Sequence, residues 1–322
     1  MKEIFTLTFC LCILPQLLTA QACCSGGTPL SGSLGLQNMN AGGGLVELNY
    51  DYNTQHDLVA GSEKLGNNPR RRNTHSVLLR AGYAFNERWT LLGIVSWIRQ
   101  EEVTRRQNGD KGLKEAQGVG DAVLFGQYNL LSNSGLSILL GAGAEIPVGG
   151  TGSVDAETGL PLHPDLQPGR GAWAFLGGAR LTLFQLFRPT MSFTSNITYR
   201  LTTPADRYQG LQEYEFGNEL RLLTGFADRF NVGTTFFDPS LLFLYRYTVP
   251  DKTNGFDTPN TGGHWVHFRP GFEWVFGPSF QAGAFAEVPL YRNLTGTQLT
   301  TTTRVRLTLR YTFQTGNSFG LE

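Results

Sequence analysis

No cysteine follows Cys24 in the 322 residues, and no run of eighteen or more apolar residues follows the N-terminal stretch. The first absence excludes a closed zinc site built on thiolates, which wants four ligands. The second excludes helical membrane spans beyond the leader. Charge is scarce: Asp, Glu, Lys and Arg make up 16%, the formal net charge is zero, and lysine occurs only at Lys2, Lys64, Lys111, Lys114 and Lys252. No nucleic-acid partner is expected, because binding phosphates needs a basic excess. Gly-x-Ser-x-Gly and His-Glu-x-x-His are both missing. Of the five histidines (His56, His75, His163, His264, His267), His264 and His267 stand three apart and face opposite sides of a strand. The triplet Gly42–Gly44 precedes a strand pattern rather than a helix, so it is not a phosphate loop. No enzyme activity and no cofactor is expected from these residues.

What the chain does contain is glycine, 40 residues of it, and 12% aromatics. It opens on a targeting pattern: Lys2, an apolar stretch Ile4–Leu18, and the small-x-small site Ala20-Gln21-Ala22. Residues 1–22 therefore read as a cleaved signal peptide, leaving Cys23 first in the mature chain. Lipidation of Cys23 is a second reading, although Ala20-Gln21 matches a lipobox poorly. The adjacent thiols Cys23 and Cys24 are a candidate soft-metal or redox pair, or simply part of a flexible tail.

The rest reads as strands. Val46, Leu48, Tyr50 and Tyr52 share one face of 45–53 while Glu47, Asn49 and Asp51 share the other. The same period-two pattern recurs at 74–85, 190–201, 213–223, 265–276 and 304–313. The expected strands are 45–53, 73–85, 88–101, 118–130, 135–148, 170–184, 189–201, 212–226, 229–247, 264–276, 279–290 and 301–313. Many run well beyond the usual five or six residues, and a tilted membrane strand needs about nine to eleven. Odd-numbered connections are long and polar, such as 54–72, 102–117, 149–169 and 250–263; even-numbered ones are tight, such as Asn86-Glu87 and Gly277-Pro278. That parity belongs to a transmembrane antiparallel barrel with its N-terminus in the periplasm. The expectation is an all-β barrel of about twelve strands over 45–313. A segment 23–44 that is able to plug the lumen precedes it, and a tail 314–322 follows. Asp238-Pro239 suggests a bulge. The rings of Trp89, Trp173, Tyr199, Tyr245, Tyr247, Trp265, Trp274, Tyr291 and Tyr311 lie near expected strand ends, where a headgroup belt would hold them.

Three segments carry a family resemblance: Gly118-Val119-Gly120-Asp121, Gly141–Gly149 with its Pro147-Val148-Gly149 ending, and Glu287–Leu299 with Pro289-Leu290-Tyr291. In order and spacing they resemble the outer-membrane protein family of the meta-pathway of phenol degradation, with Thr295 standing where that pattern has Asn. The resemblance implies a barrel that passes small, in part aromatic, molecules.

The polar strand faces give fifteen candidate pore-lining residues: Arg80, Asp121, Glu145, Arg180, Arg200, Glu213, Glu215, Glu219, Arg221, Arg269, Glu273, Glu287, Arg304, Arg306 and Arg310. Such charges tune selectivity, or pair to fill a narrow barrel. Asp155, Glu157 and Asp165 in the 149–169 loop are candidate calcium ligands or surface acids. The expected function is passive or facilitated diffusion of small solutes. The alternative is a non-transport barrel, either structural or lipid-modifying. The expected partners are outer-membrane lipid, the barrel-assembly machinery (through Phe313) and the solute itself.

Overall fold

The structure, a computed structural model, describes residues 39–66, 68–105, 110–210 and 212–315. The expected signal peptide, Cys23 and Cys24, the segment 23–38 and the last residues of the tail lie outside the described residues.

The alternating segments form one antiparallel sheet closed on itself. In chain order the crossings are β1 (Gly43–Gly61), β2 (Arg70–Ala84), β3 (Trp89–Arg105), β4 (Lys111–Val119 continued by Ala122–Ser132), β5 (Leu136–Ile146) and β6 (Ala174–Phe184). Then come β7 (Ser192–Thr202), β8 (Glu219–Ala227), β9 (Thr235–Thr248) and β10 (Gly263–Val275). The last element, Phe280–Gln314, is 35 residues long. At about 3.3 Å per residue it would span roughly 115 Å as a single strand, far more than a bilayer. Its residues 281–294 pair with β10 and its residues 294–314 pair with β1. The chain reverses near Gly296, whose φ of 68° favours glycine. These two arms are β11 and β12. Thr312 N–H donates to Ser279 O at 2.8 Å, and the Phe280 and Tyr311 rings lie 4.9 Å apart across the closing hairpin. Eleven strand elements thus make twelve crossings, and among the described residues no unpaired edge is left in lipid.

Burial is inverted relative to a soluble protein. On β1, Val46 and Leu48 are 41% and 47% exposed, whereas Glu47, Asn49 and Asp51 are 3%, 2% and 1% exposed. The apolar face points outward and the polar face inward, as lipid outside and a lumen inside require. Four connections at one end, 62–69, 147–173, 203–218 and 249–262, are longer than every turn at the other; 106–110 and the tight reversal at Gly296, also at that end, are short because the strands extend into them. The long-loop end faces outside by the usual rule for such barrels.

Four expectations change. The polar stretch 291–300 is not a loop, because β11 and β12 continue through it. Residues 54–61 and 102–105 are strand for the same reason: backbone pairing beyond the bilayer needs no apolar face, so polarity there did not mark a loop. Asp238-Pro239 makes no bulge against β10, where Asp238 and Pro239 sit in register with Glu273 and Phe272. On the other side the register with β8 runs unshifted into the short Phe230–Val232 strand, with Asp228 N–H donating to Pro239 O at 3.1 Å. Trp265 is not in the belt. It is 1% exposed, faces the lumen in step with His267 and Arg269, and donates its indole N–H to Thr300 Oγ1 at 2.9 Å.

The lumen has two unlike walls. On β1–β6, Leu45, Leu78, Leu92, Ile94, Val123, Phe125, Leu139 and Leu176 form one buried apolar cluster on inward-facing positions, with Met39 packed against it. The inward charges gather mainly on β7–β12 and at the loop end.

Candidate functional site: the barrel lumen

Two chambers lie along the axis. One, of about 420 Å³, occupies the short-turn half and is lined by Glu47, Arg80, Arg180, Arg269, Glu273 and Arg310 among others. The other, of about 330 Å³, lies under the long loops beside Arg70, Arg72, Glu102, His163, Asp165 and Asp251. Between them is a pinch of only about 50 Å³ bounded by Asp51, Arg221, Arg246, His267, Glu287 and Arg304.

Register builds the charge clusters. Glu47 lies opposite Arg310 on β12 and Arg80 on β2, and it binds both at 2.7 Å. Four residues further on, Asp51 holds Arg304 and Arg306 at 2.8 Å each. On the other side Glu219 binds Arg221 at 2.7 Å and Arg246 at 2.6 Å, with Arg200 at 3.8 Å. Glu145 lies 3.3 Å from Arg200, and Glu287 lies 3.8 Å from Arg269 and 4.0 Å from Arg304. Each of these acids except Glu145 has at least two arginines near it, so the clusters carry more positive than negative charge. Buried ions are kept only when paired and hydrogen-bonded, which locks these side chains across strands.

The pinch is completed by the 147–173 connection, which folds into the barrel mouth. Its feet cross where Gly169 N–H donates to Gly150 O at 2.9 Å; a Cβ on Gly169 would come within 2.5 Å of Gly149 O. A one-residue slip in β4 at Gly120-Asp121 leaves Ile94 opposite Val123 but Trp97 opposite Val119. Such bulges re-aim side chains. Here the fully buried Asp121 carboxylate accepts Gly149 N–H at 2.9 Å and Arg170 N–H at 2.8 Å, one bond to each foot. Gln167, also fully buried, bonds Ser153 through both its amide groups and donates to Leu162 O. A 3₁₀ turn, Pro164–Leu166, then presents Asp165 to Arg72 at 2.7 Å, and Arg72 also grips Glu102 at 2.7 Å. Leu162 and Leu166 bury against Ala116 of β4.

A small four-stranded sheet roofs this loop: Ala205–Tyr208, Gln212–Glu215, Lys252–Thr253 and Phe256–Asp257. Tyr208, Tyr214 and Phe216 pack beneath it with Ala172, and the Arg170 guanidinium lies 5.0 Å over Phe216. Asp251 is buried there, and burial pushes its carboxyl up to about 6, although the Tyr214 hydroxyl and Gly217 N–H donate to its ionised form at 2.5 and 2.8 Å. His163 is raised too: desolvation opposes its charge, but bonding to Asp165 at 2.6 Å outweighs it. The signs agree. A carboxyl raised above its ordinary 3.8 favours the closed roof below that value, and this contribution fades as pH climbs to about 6. The raised histidine stabilises the loop fully below its ordinary 6.5 and stops doing so above its raised value. Conductance through the protein in planar bilayers should therefore increase from pH 4 to pH 8. Asp251→Asn should flatten the lower part of the curve, and an unchanged curve in that variant would remove Asp251 from the account.

Of the fifteen expected pore-lining residues, thirteen sit on or at the inner wall. Asp121 anchors the loop rather than facing open lumen. Glu213 and Glu215 are corrected: they lie on the roof sheet, where Glu215 approaches Lys252 at 3.6 Å. Their segment alternates like a strand, which it is, but one outside the wall. Glu47, Asp51 and Arg246 were missed although their strands' alternation points them inward. Arg72, Glu102 and Arg292 were missed because they fell in or beside stretches read as loop. Arg170 comes from the 147–173 connection, where no periodicity marks it. Asp155, Glu157 and Asp165 do not converge, and no group of three or more metal-ligating residues occurs among the described residues.

The architecture is similar to that of solved outer-membrane proteins. The COG4313 outer membrane channel from Pseudomonas putida F1 aligns with a TM-score of 0.66 at 12% identity, over 85% of this chain and 97% of that one. The β domain of the Bordetella autotransporter Brka gives 0.45 at 13% identity, over 85% and 100%. The translocator domain of NalP from Neisseria meningitidis gives 0.46 at 12% identity, over 88% and 93%. No curated protein matches the sequence. The family model described as "Putative MetA-pathway of phenol degradation" matches residues 84–311, more than half of the chain. This bacterial outer-membrane β-barrel belongs to that family.

Proposed function

We propose that the protein is a passive channel for small molecules across the outer membrane, with the 147–173 loop as its constricting element. The observation that carries this reading is a closed inside-out barrel holding two chambers on one axis, separated by a narrow charged pinch. The P. putida relative of the same fold is itself called a channel, which supports the reading. No catalytic role is assigned: the Tyr50–His75 and Tyr245–His264 hydrogen bonds, both 2.8 Å, sit among aromatic rings toward the loop ends of their strands, where they suit lipid headgroups. Lipid contacts the outer apolar band, and assembly into the membrane is by the barrel-assembly machinery.

The chain enters the described part at Met39, inside the apolar lumen wall. Segment 23–38 lies outside the described residues, and its role as a partial plug is part of this proposal. Liposome swelling with graded sugars and aromatic solutes tests the channel: uptake should fall with solute size. Deleting 25–38 should raise uptake. Vesicles that exclude every solute in both forms would favour the structural or lipid-modifying alternative.

A further inference from the structure

Resting on the channel reading, we propose that the 420 Å³ chamber is a binding site for small amphiphilic carboxylates, such as an aromatic acid, gripped by Arg269. Six arginines but only two glutamates, Glu47 and Glu273, line this chamber. Segment 23–38 contains no charged residue, so it cannot supply the missing negative charge. Arg269 is 6% exposed, and its Nε and Nη1 have no hydrogen-bond partner among the described residues. Its nearest carboxylate, on Glu287, is 3.8 Å away, beyond hydrogen-bond reach. Either edge of a guanidinium, Nε–H with Nη2–H or Nη1–H with Nη2–H, matches the two oxygens of a carboxylate.

The rest of the chamber suits a flat apolar body. Phe285 lies 3.3 Å beneath the Arg269 guanidinium and also faces Arg306 at 5.5 Å. Leu223 and Leu242 lie on inward-facing positions of β8 and β9 beside it. The volume falls within the range of small-molecule sites, about 300–1,000 Å³. A neutral phenol would leave the guanidinium unsatisfied, and inorganic phosphate would leave the apolar side uncovered.

Calorimetric titration of benzoate, phenol and phosphate into the detergent-solubilised mature protein tests the site. Benzoate should bind at least tenfold more tightly than either of the others. Arg269→Gln should weaken benzoate at least tenfold, and Arg269→Lys severalfold, because an ammonium lacks the fork. Arg99→Gln, on the outer face and paired with Glu101 and Glu115, is the control and should change nothing. Folding of each variant is read from its heat-dependent gel mobility; if the glutamine variant does not fold, the lysine variant decides. Equal affinity for phenol or phosphate, or undiminished benzoate binding in the Arg269 variants, overturns the proposal, as does no benzoate binding. Loss of swelling for every solute would instead fail the channel reading, so the two failures are distinguishable.

Discussion

Asp121→Ala should widen the channel, raising single-channel conductance severalfold while the barrel stays folded. The side chain is fully buried, and its two oxygens accept the backbone N–H groups of Gly149 and Arg170 at the two feet of the 147–173 loop. Alanine leaves both donors buried without a partner, at a cost of about 1–3 kcal/mol each. The barrel does not rely on these bonds, since β4 pairs with β3 on both sides of the slip and with β5 along Ala122–Ser132. The loop does rely on them. Its other ties include the Asp165–Arg72 pair, the burial of Leu162 and Leu166, and side-chain bonds from Gln100 and Gln209 to its carbonyls. Release at the feet frees Arg170 and the 3₁₀ turn that narrow the mouth. Asp121→Asn keeps one acceptor oxygen and should give an intermediate increase. Bilayer recordings of the three proteins check the order; equal conductances would mean that the loop does not set the constriction.

A second large effect concerns the outer wall. Leu48 and Leu309 lie directly opposite each other on β1 and β12, both about half exposed on the outer face. Leu309→Arg should destabilise the barrel in lipid by about 2–4 kcal/mol if that position lies at the bilayer midplane. The same change one position earlier, Thr308→Arg, puts the charge on the lumen side, where Thr308 already bonds Asn49 at 2.8 Å. It should cost far less stability and instead alter ion selectivity. Urea titrations of barrels folded into thin vesicles separate the two. Equal destabilisation by both would contradict the lipid-facing assignment of Leu309.

The contrast between residues 308 and 309 shows how much was already legible. Period-two alternation needs no partner strand: each β residue turns its side chain opposite to the last, so Glu47 and Leu48 are sorted before anything pairs. The long-short parity of the connections gave direction and strand count for the same local reason. Strand ends were less legible. Residues 54–61 and 291–300 are rich in polar side chains, and polarity alone does not distinguish an exposed strand from a loop. Trp265 illustrates another limit, since an aromatic near a strand end suits a headgroup belt or a lumen equally until its parity is followed.

Sequence alone settled that this chain is a closed antiparallel wall with unlike faces, because alternation, turn spacing and the lack of apolar helices are local properties. Only the tertiary structure decided what the wall encloses. The Glu47–Arg80–Arg310 cluster joins residues 33 and 263 positions apart. Asp121 reaches Arg170 across a loop of no fixed period, and Arg269 is left without a hydrogen-bonding carboxylate. Such contacts depend on register and on how a long loop settles inside the ring, and neither is encoded by neighbours along the chain.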